Sequence, residues 1–178
     1  MNGDLGKAIA KMVTAEMPRD KLEAYIISLL QSQTMCTLCT CSNNLPRGTP
    51  LEYFPDGLVL YCSPDPGIKI SNLKANQNVS IAIYNVLEPD WENGWNKVWG
   101  MQVTGRGALY EPGSREYNRG LQVIRWQSFM RALGRPIDKP PPVKHVLKVT
   151  PSKIEVRNTA LIDMGFSRRQ NWVAETSG

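Results

Sequence analysis

The sequence predicts a mainly β protein with flanking helices, an α+β fold organised around a closed or half-closed antiparallel barrel. Three observations support this fold class. Short runs rich in β-branched and apolar residues recur in the first half of the chain, and motifs such as "SNNLP", "PDG" and "PDPG" separate them with turns. Helical spacing is confined to a few segments. At 178 residues, one domain with a single core is expected.

Residues 1–33 are predicted to form an N-terminal helical segment with two helices. The apolar positions of the first helix are Leu5, Ile9, Met12 and Val13. It should end before Pro18, because proline interrupts a helix. The second helix takes Asp20 as its N-cap, since a short acidic side chain can accept from the free N–H groups of the first turn. Its apolar positions follow helical spacing: Leu22, Tyr25, Ile26, Leu29 and Leu30.

The stretch "MCTLCTCSNN" holds three of the four cysteines and has more than one interpretation. A structural zinc site usually needs four Cys or His ligands, but there is only one C-x-x-C pair, and His145 is the only histidine. In a strand, Cys36 and Cys39 would point to opposite faces, whereas Cys39 and Cys41 would share one. We therefore interpret them as small residues of the first strand and predict no metal. A metal or iron–sulfur site and redox sensing are the alternatives.

Further strands are predicted in "RGTPLEYF", "LVLYCS", "VSIAIYN" and "VWGMQVTGRGALYE", with a short helix in "IKISNLKAN". The polar segment at 86–97 reads as an insertion. In the long strand that follows it, Gly100, Gly105 and Gly107 mark places for a bend, a bulge or the close approach of a ligand.

The C-terminal part is predicted to contain one helix, one strand region and a tail. Ser114 is a suitable N-cap for a helix at about 114–133, which Gly134 should end. The segment "HVLKVTPSKIEVRN" is extended in character. Residues 158–178 form a polar tail that is a candidate to cover a site.

The charge balance limits the function classes. The chain has 21 Lys and Arg residues against 16 Asp and Glu residues, a formal net charge of +5, with no long basic run. This moderate excess suits a phosphate-bearing ligand and does not favour nucleic-acid binding. No apolar stretch is long enough to span a bilayer, and the N-terminus lacks the apolar core of a secretory signal, so no membrane association and a cytoplasmic location are expected.

The succession "CTLCTCSNNLPRGTPLEYFPDGLVLYCSPDPGIKISNLKANQNVSIAIYN" resembles the pyridoxamine 5'-phosphate oxidase-like, FMN-binding split-barrel family. The segments "WGMQVTGRGAL" and "LKVTPSKIEV" extend the likeness to residue 157. The resemblance implies a six-stranded antiparallel split barrel over residues 34–157. It also implies a homodimer with FMN in clefts at the subunit interface.

The resemblance also implies which residues hold the FMN. The strand matching "RGTPLEY" would line the flavin with its backbone and place an arginine at the phosphate: Arg47, Gly48, Thr49, Pro50 and Leu51. The loop and helix start matching "YCSPDPGIK" would add phosphate and ribityl contacts: Tyr61, Cys62, Ser63 and Lys69. A residue near Gly100 or Gln102 would face the isoalloxazine ring. Independently of the family, an Arg fork, a Lys, a hydroxyl and a helix start suit a phosphate monoester.

Departures from the family pattern argue against a true pyridoxamine phosphate oxidase. The C-terminal Arg-x-His pair of those enzymes is missing, and Ile68 stands where they carry a second arginine. The sequence therefore predicts an FMN-binding flavoprotein acting as an oxidoreductase or flavin reductase of unknown substrate and electron donor, without an identified catalytic side chain. The alternatives are a non-catalytic flavin-binding or electron-carrier module, and a split-barrel relative that binds haem or a deazaflavin.

Overall fold

A computed structural model describes residues 13–86, 91–94 and 97–175 of the chain. Its helices are α1 (Arg19–Gln31), α2 (Ile68–Ala75), α3 (Trp91–Gly94), α4 (Arg115–Ile124) and α5 (Trp126–Ala132). Its strands are β1 (Met35–Ser42), β2 (Leu45–Glu52), β3 (Phe54–Asp56), β4 (Val59–Cys62), β5 (Asn78–Tyr84), β6 (Trp99–Tyr110), β7 (Val146–Asn158) and β8 (Arg169–Val173). No helix within these ranges has the length and apolar character needed to cross a bilayer.

The N-terminal helices differ from the sequence prediction. Of the first predicted helix, residues 5–12 lie outside the described residues, and 13–18 are not helical. The second helix, α1, begins at Arg19 with Pro18 in the cap position, so the prediction of Asp20 as N-cap is wrong. Proline suits a helix start because its φ is fixed near the helical value and it lacks an N–H that would otherwise stay unpaired. Asp20 instead lies in the first turn, where a carboxylate interacts favourably with the helix dipole.

The strands form one antiparallel sheet that closes on itself. Their order is β2-β1-β5-β6-β7-β4-β3, with β8 added to β7. β2 and β3 lie at opposite ends of this order, yet only Tyr53 separates them in the chain. The sheet must therefore curl until its two ends meet at Tyr53. This residue is buried, its N–H donates to the Thr34 carbonyl at 3.0 Å, and its hydroxyl donates to the Leu30 carbonyl at 2.8 Å.

The mainly β, split-barrel fold class is confirmed, with a different strand count. The sheet has eight strands where the family resemblance implied six: β2 and β3 are separate strands divided by Tyr53, and β8 is additional. An additional strand, β8, forms inside the segment predicted as a polar tail. Gln170 and Trp172 of β8 alternate inward, and the Trp172 indole N–H donates to the Glu23 carboxylate at 2.7 Å. The tail is thus part of the sheet and packs against α1.

The core of the barrel is built from one face of the sheet. One row of inward side chains crosses five strands in register and consists of Leu38, Ile81, Val103, Ile154 and Trp172. The first four are fully buried. Ile26 and Leu30 of α1, also fully buried, pack against this core. Burial of this apolar surface is the main term that stabilises the fold.

A β-bulge interrupts the pairing of β6 with β7, and its extra residue is Ser152 of β7. The pairing of β6 with β7 shifts register between Thr104 and Gly105. A Cβ atom at Gly105 would overlap the carbonyl oxygen of Thr150 and lie 2.9 Å from the Cα of Pro151. The bulge therefore lies in β7, opposite one of the three glycines at which the sequence predicted a bend, a bulge or a close approach, and Gly105 is the place where the two backbones come too close for a side chain.

The helix predicted at 114–133 is present but broken. Its N-cap is confirmed, since the Ser114 hydroxyl accepts from the Tyr117 N–H at 3.2 Å. At Arg125 the backbone is left-handed, with φ 54° and ψ 47°, which ends α4 and starts α5. Neither glycine nor proline marks this position, so the sequence pattern carried no sign of the break.

Candidate functional site

The edge strand β2 carries half of the residues that the family resemblance implied as cofactor contacts. It pairs only with β1, in a register that sets Arg47 opposite Thr40, and Thr49 opposite Leu38. Directly opposed residues in an antiparallel pair share one face. Arg47 and Thr49 therefore lie on the inward face of the sheet, although Arg47 itself is exposed at the open side of the barrel.

A small polar network holds α2 on this same inward face. The Asn72 side chain of α2 is buried, and its amide donates to the Thr40 hydroxyl at 3.1 Å. The Ser42 hydroxyl donates to the Asn72 amide oxygen at 2.8 Å. Because Thr40 is the partner of Arg47, the network places α2 on the side of the sheet that bears Arg47.

The start of α2 is free to bind an anion. Its N-cap position is Gly67, with φ 152°, and no side chain caps the first turn. The Lys69 ammonium lies 3.9 Å from the position that a Cβ atom of Gly67 would occupy. The free N–H groups of a helix start and an adjacent ammonium together favour negative charge. We call the region formed by Arg47, Thr49, Gly67 and Lys69 the β2–α2 region.

The cations and one hydroxyl of the β2–α2 region have no internal partners. Across the described parts of the chain, the side chains of Arg47 and Lys69 make no ion pair or hydrogen bond. The Thr49 hydroxyl oxygen is buried and likewise unpaired among these residues. Buried polar atoms are almost always satisfied, so an unpaired one marks a place for an external partner. These donors fit a phosphate monoester.

The other predicted residues of this set are placed differently. Ser63 is exposed in the loop that leads from β4 to α2. Leu51 is half-buried on the inward face, while Gly48 and Pro50 face outward. A Cβ atom at Gly48 would lie 3.2 Å from the Thr37 methyl group.

The side chains of Tyr61 and Cys62 are not available to a ligand. Tyr61 packs under α4, where its ring lies 3.1 Å from the Cβ position of Gly120. Cys62 is fully buried in the core of the barrel. Sequence reasoning placed both side chains in the site because it could not tell which faces of β4 are covered. Only main-chain groups at these two positions stay as predicted cofactor contacts.

Gln102 belongs to a second region, on the outward face of the sheet. A groove of about 560 Å³ crosses β5, β6, β7 and β8. Among its lining residues are Tyr84, Trp99, Gln102, Arg157, Arg169 and Asn171. Its floor is Gly100, where a Cβ atom would have no neighbour closer than 3.9 Å. We call it the Gly100 groove.

The Gly100 groove and the β2–α2 region cannot form one site within a single chain. They lie on opposite faces of the sheet, because Gln102 pairs with Ala82 and both point away from the core that Thr49 faces. Sequence reasoning anticipated Gly100 and Gln102 but missed Arg157 and Arg169. Their convergence depends on the pairing of β7 with β8, which the sequence pattern did not reveal.

The cysteines follow the strand interpretation. Cys36 and Cys62 are buried, whereas Cys39 and Cys41 are partly exposed on the other face. Within the described ranges, no three His, Cys, Asp or Glu side chains gather as a metal site would require. A hydrogen bond with the Cys36 thiol, together with burial, raises the pKa of Cys62 well above its usual value.

We expect native-state alkylation to separate these two pairs of thiols. Cys36 and Cys62 should react with iodoacetamide at least about a hundredfold more slowly than Cys39 and Cys41, because a buried thiol with a raised pKa reacts only after opening. Peptide mass spectrometry gives the rate at each cysteine. Denatured protein, in which all four should react alike, is the control. Equal rates at Cys62 and Cys39 in the native protein would contradict the placement of Cys62.

Comparison with known families agrees with this geometry. The sequence profile described as Pyridoxamine 5'-phosphate oxidase matches residues 22–158, more than half of the chain. The chain belongs to the pyridoxamine 5'-phosphate oxidase family. A search of curated proteins gave no significant match. The residues that match the pyridoxamine 5'-phosphate oxidase profile begin within α1 and end with β7. They include the whole β2–α2 region and the part of the Gly100 groove that lies on β5, β6 and β7, but not β8.

Solved structures with the same fold include three with different descriptions. A candidate pyridoxamine 5'-phosphate oxidase from Listeria innocua is 21% identical, with a TM-score of 0.59 over 77% of this chain and 98% of that one. A FAD-binding protein from Mesorhizobium loti is 17% identical, with a TM-score of 0.56 over 76% and 90%. The haem storage protein HutZ from Vibrio cholerae is 13% identical, with a TM-score of 0.56 over 73% and 89%. At these identities the likeness shows the fold alone.

Proposed function

We propose that this chain is an FMN-binding flavoprotein that acts as a cytoplasmic homodimer in oxidation–reduction. The observation that supports it best is the β2–α2 region, where Arg47, Lys69 and the buried Thr49 hydroxyl have no partner in the described parts of the chain. Lys69 stands at the start of α2, which no side chain among the described residues caps, and Arg47 lies on the face of the sheet that carries this helix, so an anion bound there would interact favourably with each of them.

The β2–α2 region would hold the phosphate end of FMN. A phosphate monoester carries nearly two negative charges and several acceptor oxygens. Arg47 can donate two parallel hydrogen bonds, Lys69 adds a point charge, and the free N–H groups at the start of α2 complete the set. The exposed Ser63 hydroxyl, in the loop before α2, is a further donor. Within the described residues, none of the Arg47, Lys69 and Ser63 side chains has to give up a hydrogen bond or ion pair to bind the phosphate.

The ring end of FMN would need a second copy of the chain. Since the β2–α2 region and the Gly100 groove lie on opposite faces of one sheet, a single chain cannot present both to one ligand. A two-fold dimer can set the groove of one copy against the β2–α2 region of the other, twice. The exposed backbone edge of β2, which pairs only with β1, suits such an interface.

FMN, when bound, supplies the hydride or single-electron chemistry at its ring. The protein's own part is to bind the phosphate, to orient the ring against the backbone of β2, and to turn the other face of the ring toward the Gly100 groove of the partner copy. The FAD-binding neighbour of the same fold supports a flavin as cofactor. A true pyridoxamine phosphate oxidase is not proposed, because Ile68 replaces the second phosphate-binding arginine and the C-terminal Arg-x-His pair is missing.

Haem is the second candidate, since one structural neighbour is a haem storage protein. Axial ligation by histidine would fall to His145, the only histidine of the chain. His145 is buried, and its Nε2 lies 3.4 Å from the Glu111 carboxylate, so it faces neither region described above. This placement favours the flavin over a histidine-ligated haem.

The proposal is tested by reconstitution with FMN. Protein incubated with excess FMN and passed through gel filtration should elute as a dimer with about one FMN per chain and the two visible bands of an oxidised flavin. Addition of NADH or NADPH under nitrogen should bleach those bands. A stable flavin spectrum that dithionite bleaches, but that no nicotinamide donor changes, would indicate an electron-carrier module instead.

Three further outcomes would contradict the FMN proposal. A Soret band in the protein as isolated, or after addition of haemin, would indicate haem. A single blue-shifted band would indicate a deazaflavin. Elution free of any chromophore after incubation with FMN would rule out tight flavin binding altogether.

A further inference from the structure

A row of four residues crosses the Gly100 groove. Tyr84 of β5 pairs with Gly100 of β6, Gly100 pairs with Arg157 of β7, and Arg157 pairs with Arg169 of β8. All four face outward, since their neighbours along each strand are buried. The absent side chain at Gly100 leaves a depression between the Tyr84 ring and the two arginines. The groove is therefore shaped by the register of four strands.

The two arginines of this row are an unfavourable pair when nothing lies between them. Directly opposed residues in an antiparallel pair have Cβ atoms about 4.5–5.5 Å apart, and like charges at that separation destabilise a sheet. Across the described parts of the chain, neither Arg157 nor Arg169 has an ion pair or a side-chain hydrogen bond. The acid within the groove, Glu155, is paired with Lys153 at 2.8 Å.

We propose that Arg157 and Arg169 form an oxyanion-binding site, and that the Gly100 groove takes a planar molecule bearing a carboxylate or a phosphate. Two guanidinium forks on neighbouring strands can converge on one oxyanion, which relieves their mutual repulsion. Tyr84, which is 59% exposed, offers flat apolar surface to the rest of the ligand. Gln102 and Asn171 line the same groove and supply amide groups.

The occupant is the molecule that exchanges electrons with the flavin, an assignment that rests on the function proposed above. The oxyanion site itself rests only on the groove and its arginines. The phosphate of FMN is assigned to the β2–α2 region of the partner copy, so the groove arginines are left for a second ligand. In the proposed dimer, Arg47 and Lys69 would therefore bind the cofactor, and Arg157 and Arg169 would bind the substrate.

The test uses benzoate and phenyl phosphate as probes, with benzamide as the uncharged control. Saturation-transfer NMR and calorimetry on the full chain, with and without FMN, measure the dissociation constants. Both anions, or one of them, should bind saturably and more tightly than benzamide, and the preferred anion identifies the oxyanion as carboxylate or phosphate. Arg157→Gln and Arg169→Gln should each weaken that binding by about ten- to hundredfold.

Two further variants separate the groove from general surface charge. Arg168→Gln removes the exposed arginine adjacent to Arg169 but outside the groove lining, and it should leave anion binding unchanged. Gly100→Val fills the floor of the groove without altering charge, and it should abolish binding of the aromatic anions. Valine suits a strand, and a Cβ atom at Gly100 would have no neighbour closer than 3.9 Å. Circular dichroism confirms that each variant is folded.

Several results would overturn the proposal. One is the absence of saturable anion binding both with and without FMN. Another is equal affinity for benzamide and benzoate. A third is a loss of anion affinity in Arg168→Gln as large as the loss in Arg157→Gln or Arg169→Gln. A further one is a fall in FMN affinity in Arg157→Gln with riboflavin affinity unchanged, because the pair would then hold the phosphate of the flavin. If FMN fails to bind while benzoate still depends on Arg157 and Arg169, the flavin function fails and the oxyanion site stands.

Discussion

Replacing both Arg47 and Lys69 with alanine is expected to weaken FMN binding by at least about a hundredfold. Loss of one charge-assisted contact to a phosphate typically costs about 1.5–3 kcal/mol, which is about a ten- to hundredfold weaker affinity for each single variant. Neither side chain has an internal partner in the described parts of the chain, so their removal should leave the fold intact. Fluorescence titration with FMN measures the effect.

Two controls test whether Arg47 and Lys69 act on the phosphate of FMN: riboflavin as the ligand and Lys74→Ala as the variant. Riboflavin lacks the phosphate, so its affinity should be nearly the same for the wild type and the double variant. Lys74 is an exposed lysine in the last turn of the same helix, α2, and its replacement should leave FMN affinity unchanged. Raising the salt concentration should weaken FMN binding to the wild type more than to the double variant. Equal losses for FMN and riboflavin would show that these residues do not contact the phosphate.

Gly105→Ala is expected to be the most destabilising single methyl addition in the sheet. Its Cβ would overlap the Thr150 carbonyl oxygen and lie 2.9 Å from the Pro151 Cα, and both are backbone atoms that no rotamer change can move. Relieving the clash requires the bulge between β6 and β7 to open. We expect the free energy of unfolding to fall by about 3 kcal/mol or more, as measured by urea denaturation.

Gly100→Ala is the matched control, since Gly100 lies in the same strand with no atom closer than 3.9 Å to its Cβ position. Its free energy of unfolding should stay within about 1 kcal/mol of the wild type, or rise slightly, because alanine restricts the unfolded chain. Comparable losses for the two variants would mean that the close approach at Gly105 is relaxed in solution.

Much of the fold was predictable because local patterns determine it. The alternation of Cys36, Leu38 and Thr40 inward with Cys39 and Cys41 outward follows from the two-residue period of a strand. The cap at Ser114 and the close backbone approach at Gly105 of β6 also carry local signals. By contrast, β8 lies in a segment whose polar residues face solvent and whose inward positions include Gln170, so no apolar run marked it.

The candidate site was predictable in part for the same reason. The motifs "RGTPLEY" and "YCSPDPGIK" identified Arg47 and Lys69. Within the described residues, neither side chain has an ion pair or a hydrogen bond. Tyr61 and Cys62 occupy the strand beside them, but whether a strand face is covered depends on distant elements, here α4 and the barrel core. Arg157 and Arg169 lie 12 positions apart in the chain and become neighbours only through strand pairing.

β7 has a consequence for the order in which the chain folds. It pairs with β6 along its length except at Ser152. Its opposite edge is shared by β4, which pairs with residues 147–149, and by β8, which pairs with residues 153–157. The strand that joins the β3–β4 hairpin to the sheet, β7, lies about ninety residues further along the chain. Closing so long a loop slows folding. During synthesis, the seam at Tyr53 can close only after β7 has left the ribosome, so a chain ending before residue 146 should expose the edge of β4 and aggregate.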